Sequence, residues 1–271
     1  MKLGNALSVS AAISAGLRYD EDARAYISAV EAADGQFLES GVKDSINAFV
    51  VGCKADNLWG KIKASCILMG ARTLSGILVD IKSATTIATN NLFVSADYNR
   101  ESGLLGDGST KYINSGRSNN ADPRNDNHNA VYVTALGSSN RAFMAAGASG
   151  QAGVNFVGIA TVGGNYFLAT RSRGSGDILV EGASAVGLAG ISRTALESFS
   201  GRTNKSYVTG NFQSFVPASS PVLIFARGLP GSLSSVSSAR ISFYSIGEGL
   251  ELAALDSRVE ALSVGIANAI V

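Results

Sequence analysis

The sequence predicts a mainly β protein: an antiparallel jelly-roll sandwich with a small N-terminal helical module and a C-terminal coiled-coil helix. Three observations carry that expectation. Between Phe93 and Ile246, short apolar runs recur at close spacing, each bounded by Gly, Ser, Asn or Pro, and no helix-length pattern interrupts them to build a parallel sheet. Charged residues make up 16% of the chain, where about 25% is usual, and 31 of the 271 residues are glycine, a turn-rich composition. Helical periodicity is confined to Asp20–Asp80 and to Leu250–Val271.

The same composition narrows the function classes. A formal net charge of +1 leaves no chain-level footprint for nucleic acid or an anionic membrane. No run approaches the roughly 18 apolar residues of a membrane span. Cys53 and Cys66 stand in a helix-like stretch, and the single histidine, His128, is far along the chain. A zinc site would need two further ligands, so both cysteines read as reduced core thiols, as suits assembly in a reducing cytoplasm. No cofactor is expected.

Residues 1–18 are small, apolar and rich in Ser and Ala without a clear period, and they read as an anchoring peptide or a frayed terminus. The helical module spans 19–82. Asp20, Glu21 and Asp22 supply carboxylates at a helix start, Ala23, Tyr26, Ile27 and Val30 follow at helical spacing, and Asp34-Gly35 ends the run. Val42, Ile46, Phe49, Val50 and Cys53 form the stripe of a second helix, and Trp59, Ile62, Cys66 and Met69 continue the pattern. Residues 81–92 are polar and Thr-rich, a linker into the first strand.

The sandwich is expected over 90–247. Gly106-Asp107-Gly108-Ser109, between Leu104, Leu105 and Tyr112, is a hairpin signal. Strands are predicted at Ala130–Leu136, Arg141–Ala146, Asn155–Thr161, Tyr166–Arg171, Asp177–Glu181, Gly187–Arg193, Leu196–Ser200, Lys205–Thr209, Pro221–Ala226 and Ala239–Ile246, with a Gly163-Gly164-Asn165 turn in one hairpin. Over 248–271, Leu252, Leu255, Val259, Leu262 and Ile266 are spaced 3, 4, 3 and 4 apart, a heptad seam. Self-association through parallel helices is the expectation; an amphipathic helix packing on its own domain is the other reading.

No catalytic constellation is legible, so the chain is expected not to be an enzyme. His128 sits in an Asn-rich loop edge, and the acids between Phe93 and Ile246 (Asp97, Glu101, Asp107, Asp122, Asp126, Asp177, Glu181, Glu197) are scattered singly, where glycoside hydrolysis needs a facing pair. Asp107, Asp122 and Asp126 are the oxygen ligands to consider for calcium, although loop Asx residues mostly make turns. Tyr98, Tyr112, Tyr166 and Tyr207 are the aromatics that could stack on sugars, although single tyrosines in strands more often pack in the core or across strands.

Two stretches carry a resemblance. Asp22, Ala25, Tyr26, Ile27, Lys54, Leu58, Trp59, Lys61, Ile62 and Ala64 match a helical module found near the start of many bacteriophage tail-fibre proteins. Gly103–Ile113, Asn119–Pro123, His128–Val133 and Ala239–Leu252 resemble the concanavalin-like, laminin-G-like sandwiches of the same virion proteins. Cys66-Ile67-Leu68-Met69-Gly70 departs from the aromatic-proline run that relatives often carry. The resemblance implies a bacteriophage virion component, a fibre or spike subunit assembled in the bacterial host cytoplasm. It would be a homotrimer, attach to other virion proteins through its N-terminal segment, and display a lectin-like domain. The alternative is a receptor-binding protein whose ligand is a host-surface polysaccharide.

Overall fold

Helix α1 (Glu21–Asp34) starts where the Asp20 side chain accepts the Asp22 N–H at 3.0 Å, and Gly35 closes it with a φ of 66°. The structure is a computed structural model that describes residues 19–138, 141–148, 150–159, 164–172, 179–183 and 185–270. The anchoring peptide expected at 1–18 therefore lies outside the described residues, as does part of the Gly163-Gly164 turn. Helix α2 (Ser40–Ala55) buries its predicted stripe of Val42, Ile46, Phe49, Val50 and Cys53. The stripe's partners are in the same chain. Phe49 meets Phe243 edge-on with ring centroids 5.6 Å apart, and helix α3 (Leu252–Ala269) lies along α2. Glycine permits that approach: a Cβ on Gly41 would stand 2.7 Å from the Cβ of Ala269.

The chain between these helices forms two antiparallel sheets. One runs, in spatial order, Ser206–Gly210, Phe199–Thr203, Gly187–Arg193, Asn127–Ala135, Arg240–Gly247, Gly103–Leu105 and Tyr98–Asn99. The other runs Leu179–Ala183, Asn165–Ser172, Val154–Ile159, Ala142–Ala146, Pro221–Ile224, Tyr112–Ser118 and Thr89–Asn91. This is an antiparallel β-sandwich, the expected fold class, with the helices laid on the first sheet. One continuous apolar core joins helices and sheets, from Ala23 to Ile266.

Three local expectations give way to the tertiary structure. Ile62–Ile67 is a strand, not a helix: Cys66 pairs with Tyr244 and Ile67 with Phe243 of the last strand. The run is buried on nearly every side, so its apolar positions do not distinguish a helix from a buried strand. The Gly106–Ser109 turn is not a hairpin, because Gly103–Leu105 pairs with Arg240 and Ile241 while Tyr112–Ser118 belongs to the opposite sheet. The turn carries the chain across the sandwich. The supposed linker is structured as well, with Thr85–Thr86 paired to Val79–Asp80 and Thr89–Asn91 paired to Asn114–Tyr112.

At one end the interior between the sheets turns polar. Asn155 donates to Asn129 Oδ1 at 2.7 Å, Thr170 donates to Asn127 Oδ1 at 2.8 Å, and Arg193 is buried with its guanidinium on the carbonyls of Thr170, Ala195, Leu196, Ser198 and Phe212. Each acceptor satisfied this way fixes a strand end or loop against the others, which holds the sheets in one register.

Candidate ligand groove beside the last helix

The residues named for self-association have another place. Leu252, Leu255, Val259, Leu262 and Ile266 are 0–2% exposed within the single chain, packed against α2 and the first sheet. Within the single chain the heptad-spaced residues therefore form an intramolecular stripe covered by the sheet and α2, while Val264 of the same helix is exposed.

The opposite flank of α3 carries Asp256 and Glu260, one turn apart on one side of the helix. The hairpin between Phe199–Thr203 and Ser206–Gly210 turns through Asn204 and Lys205, both at positive φ (46° and 63°), the backbone a tight two-residue turn requires. That turn holds Lys205 over the helix, where Nζ lies 2.8 and 3.1 Å from the two oxygens of Glu260. Three residues before Lys205, Arg202 Nε donates to Asp256 Oδ2 at 2.8 Å. Tyr132 rises from the strand Asn127–Ala135, separated from the hairpin by Gly187–Arg193, and near Thr134, whose hydroxyl is held by the Ser102 carbonyl.

Between them is a cleft of about 320 Å³, lined by Tyr132, Thr134, Leu188, Lys205, Asp256 and Glu260, with Asn204 and Val186 at its edge. Burial raises the Tyr132 phenol, Glu260 and Asp256 raise it further, and Lys205 opposes them, so the hydroxyl stays a donor at neutral pH. Tyr207, outside the lining, is 47% exposed, its hydroxyl accepts the Ala253 N–H at 3.0 Å, and the Arg202 guanidinium sits 5.2 Å from its ring centre. The arrangement offers an aromatic and aliphatic wall, a phenol, an ammonium and two carboxylates within one concavity.

The other residues named from sequence do not converge. Tyr166 is buried beside Phe143, and the Tyr98 hydroxyl is tied to the Ala71 carbonyl at 2.8 Å. Tyr112 is half-buried against Leu223 and Val236. Asp107 accepts the N–H groups of Ser109, Thr110 and Lys111, Asp122 is bound by Arg117 Nε and Nη2 at 3.0 and 2.6 Å, and Asp126 accepts the Gly249 N–H. Each of the three calcium candidates thus has its own local partner, and among the described residues no group of three or more His, Cys, Asp or Glu side chains is placed to hold a metal. His128 is wholly buried, and Cys53 and Cys66 are free, buried thiols, with burial pushing Cys53 up to about 12. Among the described residues no helix is long and apolar enough to cross a membrane.

No family model matches the chain, and no curated protein matches it. Among solved structures, it is similar to a mutant NanB sialidase from Streptococcus pneumoniae, at 10% identity and a TM-score of 0.42, over 55% of this chain and 26% of that one. It is similar to the CBM40 domain of the Ruminococcus gnavus IT-sialidase bound to α2,3-sialyllactose, at 12% identity and a TM-score of 0.38, over 52% and 82%. It is also similar to the enzymatically active domain of bacteriophage CBA120 tailspike protein 2, at 13% identity and a TM-score of 0.36, over 67% and 29%. The chain spans about a quarter of the length of the sialidases it matches. These are likenesses of the β-sandwich, and no residue correspondence is drawn from them.

The expectation that the chain is not an enzyme is corrected here. The sialidases and the tailspike domain are enzymes. The survey of acids also stopped at Ile246, whereas the groove's two carboxylates, Asp256 and Glu260, come from the helix beyond it. An absence of chemistry no longer follows from the acid pattern.

Proposed function

We propose that the chain is a carbohydrate-binding β-sandwich that grips a glycan in the groove between α3 and the first sheet. The observation that carries this reading is the convergence of Tyr132, Asn204, Lys205, Asp256 and Glu260 on one cleft of about 320 Å³. A sugar presents hydroxyls that both donate and accept, together with C–H faces. The groove answers with carboxylate acceptors, ammonium and phenol donors, and exposed apolar surface from Val186. The CBM40 neighbour is bound to α2,3-sialyllactose, a sugar held on a β-sandwich.

The tail-fibre resemblance of Asp22–Ala64 and Gly103–Val133, and the tailspike among the structural neighbours, support placing this sandwich on a bacteriophage particle with a host-surface glycan as its ligand. The test is a glycan array probed with the purified chain, followed by titration calorimetry on the best ligand. Tyr132→Ala is expected to lower affinity roughly tenfold, a loss of about 1.4 kcal/mol. A chain that binds no glycan, yet is incorporated into particles, would leave only a structural role.

A further inference from the structure

We infer that the groove takes an uncharged saccharide and turns away acidic sugars. This rests on the glycan reading above and adds the ligand's charge class. Among the described residues that line the cleft, Lys205 is the single cation, and its ammonium is already committed to both oxygens of Glu260 at 2.8 and 3.1 Å. The other charged residue of the lining is a second carboxylate, Asp256. Its partner Arg202 is 8% exposed and stands behind it, with Nε on Asp256 Oδ2 and its guanidinium against the Tyr207 ring, and it is not among the lining residues.

An incoming carboxylate or sulfate therefore meets two carboxylates and finds no unengaged cation. The one ammonium hydrogen that Glu260 leaves open on Lys205 lies beside that carboxylate, so an anion accepting it is set against a like charge. An uncharged sugar meets no such conflict. Its hydroxyls can donate to the carboxylate lone pairs that the ion pairs leave open, since each carboxylate accepts at several sites. They can also accept from the Tyr132 hydroxyl, the Asn204 amide and the remaining ammonium hydrogen of Lys205. An ion pair lining a groove in this way works as a hydrogen-bonding ruler for polyols rather than as an anion receptor. The hairpin backbone at Asn204 and Lys205 fixes one end of that ruler, and α3 fixes the other.

The experiment is an array of matched glycans, neutral on one side and sialylated, uronate-bearing or sulfated on the other, probed with the intact chain and with Glu260→Gln and Tyr132→Ala. Thermal melts of each variant first establish that it is folded. The parent chain is expected to bind neutral glycans in preference to their acidic counterparts. Glu260→Gln, which removes one carboxylate and releases Lys205, is expected to weaken neutral binding roughly tenfold and to raise the response to acidic glycans relative to neutral ones. Preference of the parent for acidic glycans would overturn this inference and leave the glycan reading standing. Neutral binding unchanged in both variants would also overturn it, by placing the ligand elsewhere on the molecule. Failure to bind any glycan of either class would overturn both.

Discussion

Arg202 Nε donates to Asp256 Oδ2 at 2.8 Å, in a setting where the two residues are 8% and 3% exposed, so the last helix is tied to the first sheet by a nearly desolvated ion pair. Such a pair gains little over a well-packed apolar substitute, but breaking it leaves one charge stranded. Asp256→Ala is expected to lower unfolding stability by about 3 kcal/mol. The double variant Arg202→Met/Asp256→Leu should recover most of that loss. Urea unfolding with a shared slope checks both, and equal losses in the single and double variants would show that no charge was stranded.

The intramolecular stripe makes a second prediction. Leu255 is 0% exposed inside the chain, so Leu255→Ala should cost about 3 kcal/mol through lost burial and a residual cavity. Val264, on the same helix but 55% exposed, should tolerate Ser with little change. The oligomeric state seen by light scattering should be the same in both variants as in the parent. A shift towards smaller species on Leu255→Ala, at unchanged stability, would return these residues to an interface between copies.

How much of this was legible beforehand depended on whether a pattern had one physical solution. The α2 stripe from Val42 to Cys53 and the strand Gly187–Arg193 were readable because amphipathic periodicity and turn residues agreed there. Ile62–Ile67 was not, since a run covered on nearly all sides loses the polar face that reports its period. Asp107 advertised a turn correctly, but a turn does not say which sheet the chain enters next. The groove stayed hidden for a different reason. Tyr132 is one member of an alternating strand and Asp256 and Glu260 stand beside a heptad-spaced stripe, and neither local pattern reports a shared concavity. The signal that could have found them was the Asn204-Lys205 turn together with two acids one helical turn apart, a pairing that only the tertiary fold brings into contact.

Asp107 leads to a third prediction. Its carboxylate accepts the N–H groups of Ser109, Thr110 and Lys111 at 2.8–3.0 Å and the Thr110 hydroxyl at 2.6 Å. Partial burial works to raise its pKa, but the N–H groups of Lys111, Ser109 and Thr110 and the Thr110 hydroxyl outweigh it and hold the carboxyl well below the usual carboxylate range. Asp107→Ala frees all four donors to water and should cost about 1–2 kcal/mol, with Asp107→Asn losing less because one oxygen acceptor remains. Hydrogen exchange at the amides of residues 109–111 should accelerate in the alanine variant while exchange in the central strands is unaffected. Unchanged protection at those three amides would show that the turn is held by something other than this carboxylate.

His128 supplies the pH dependence. It is wholly buried, with Nδ1 2.6 Å from the Glu248 carbonyl and Nε2 2.8 Å from the Ser245 hydroxyl. A carbonyl can only accept, so Nδ1 carries a proton, and in the neutral ring that burial favours Nε2 accepts from the Ser245 hydroxyl. Desolvation is the largest influence on it and lowers its pKa from 6.5 to about 4. The Glu248 carbonyl and the Asp122 charge pull the other way, and Arg117 and Lys61 add to the lowering. The unfolded chain therefore takes up a proton near pH 6.5 that the folded chain refuses until about pH 4. Stability is fully present above 6.5 and falls as the pH drops through that window, by roughly 3 kcal/mol in all. Replacing His128 with Gln should lower stability at neutral pH but flatten its slope between pH 6.5 and 4, measured by urea titrations at fixed pH steps. The flattening is the discriminating readout: if the variant lost stability as steeply as the parent across that range, the acid sensitivity would belong to the carboxylates and not to this ring.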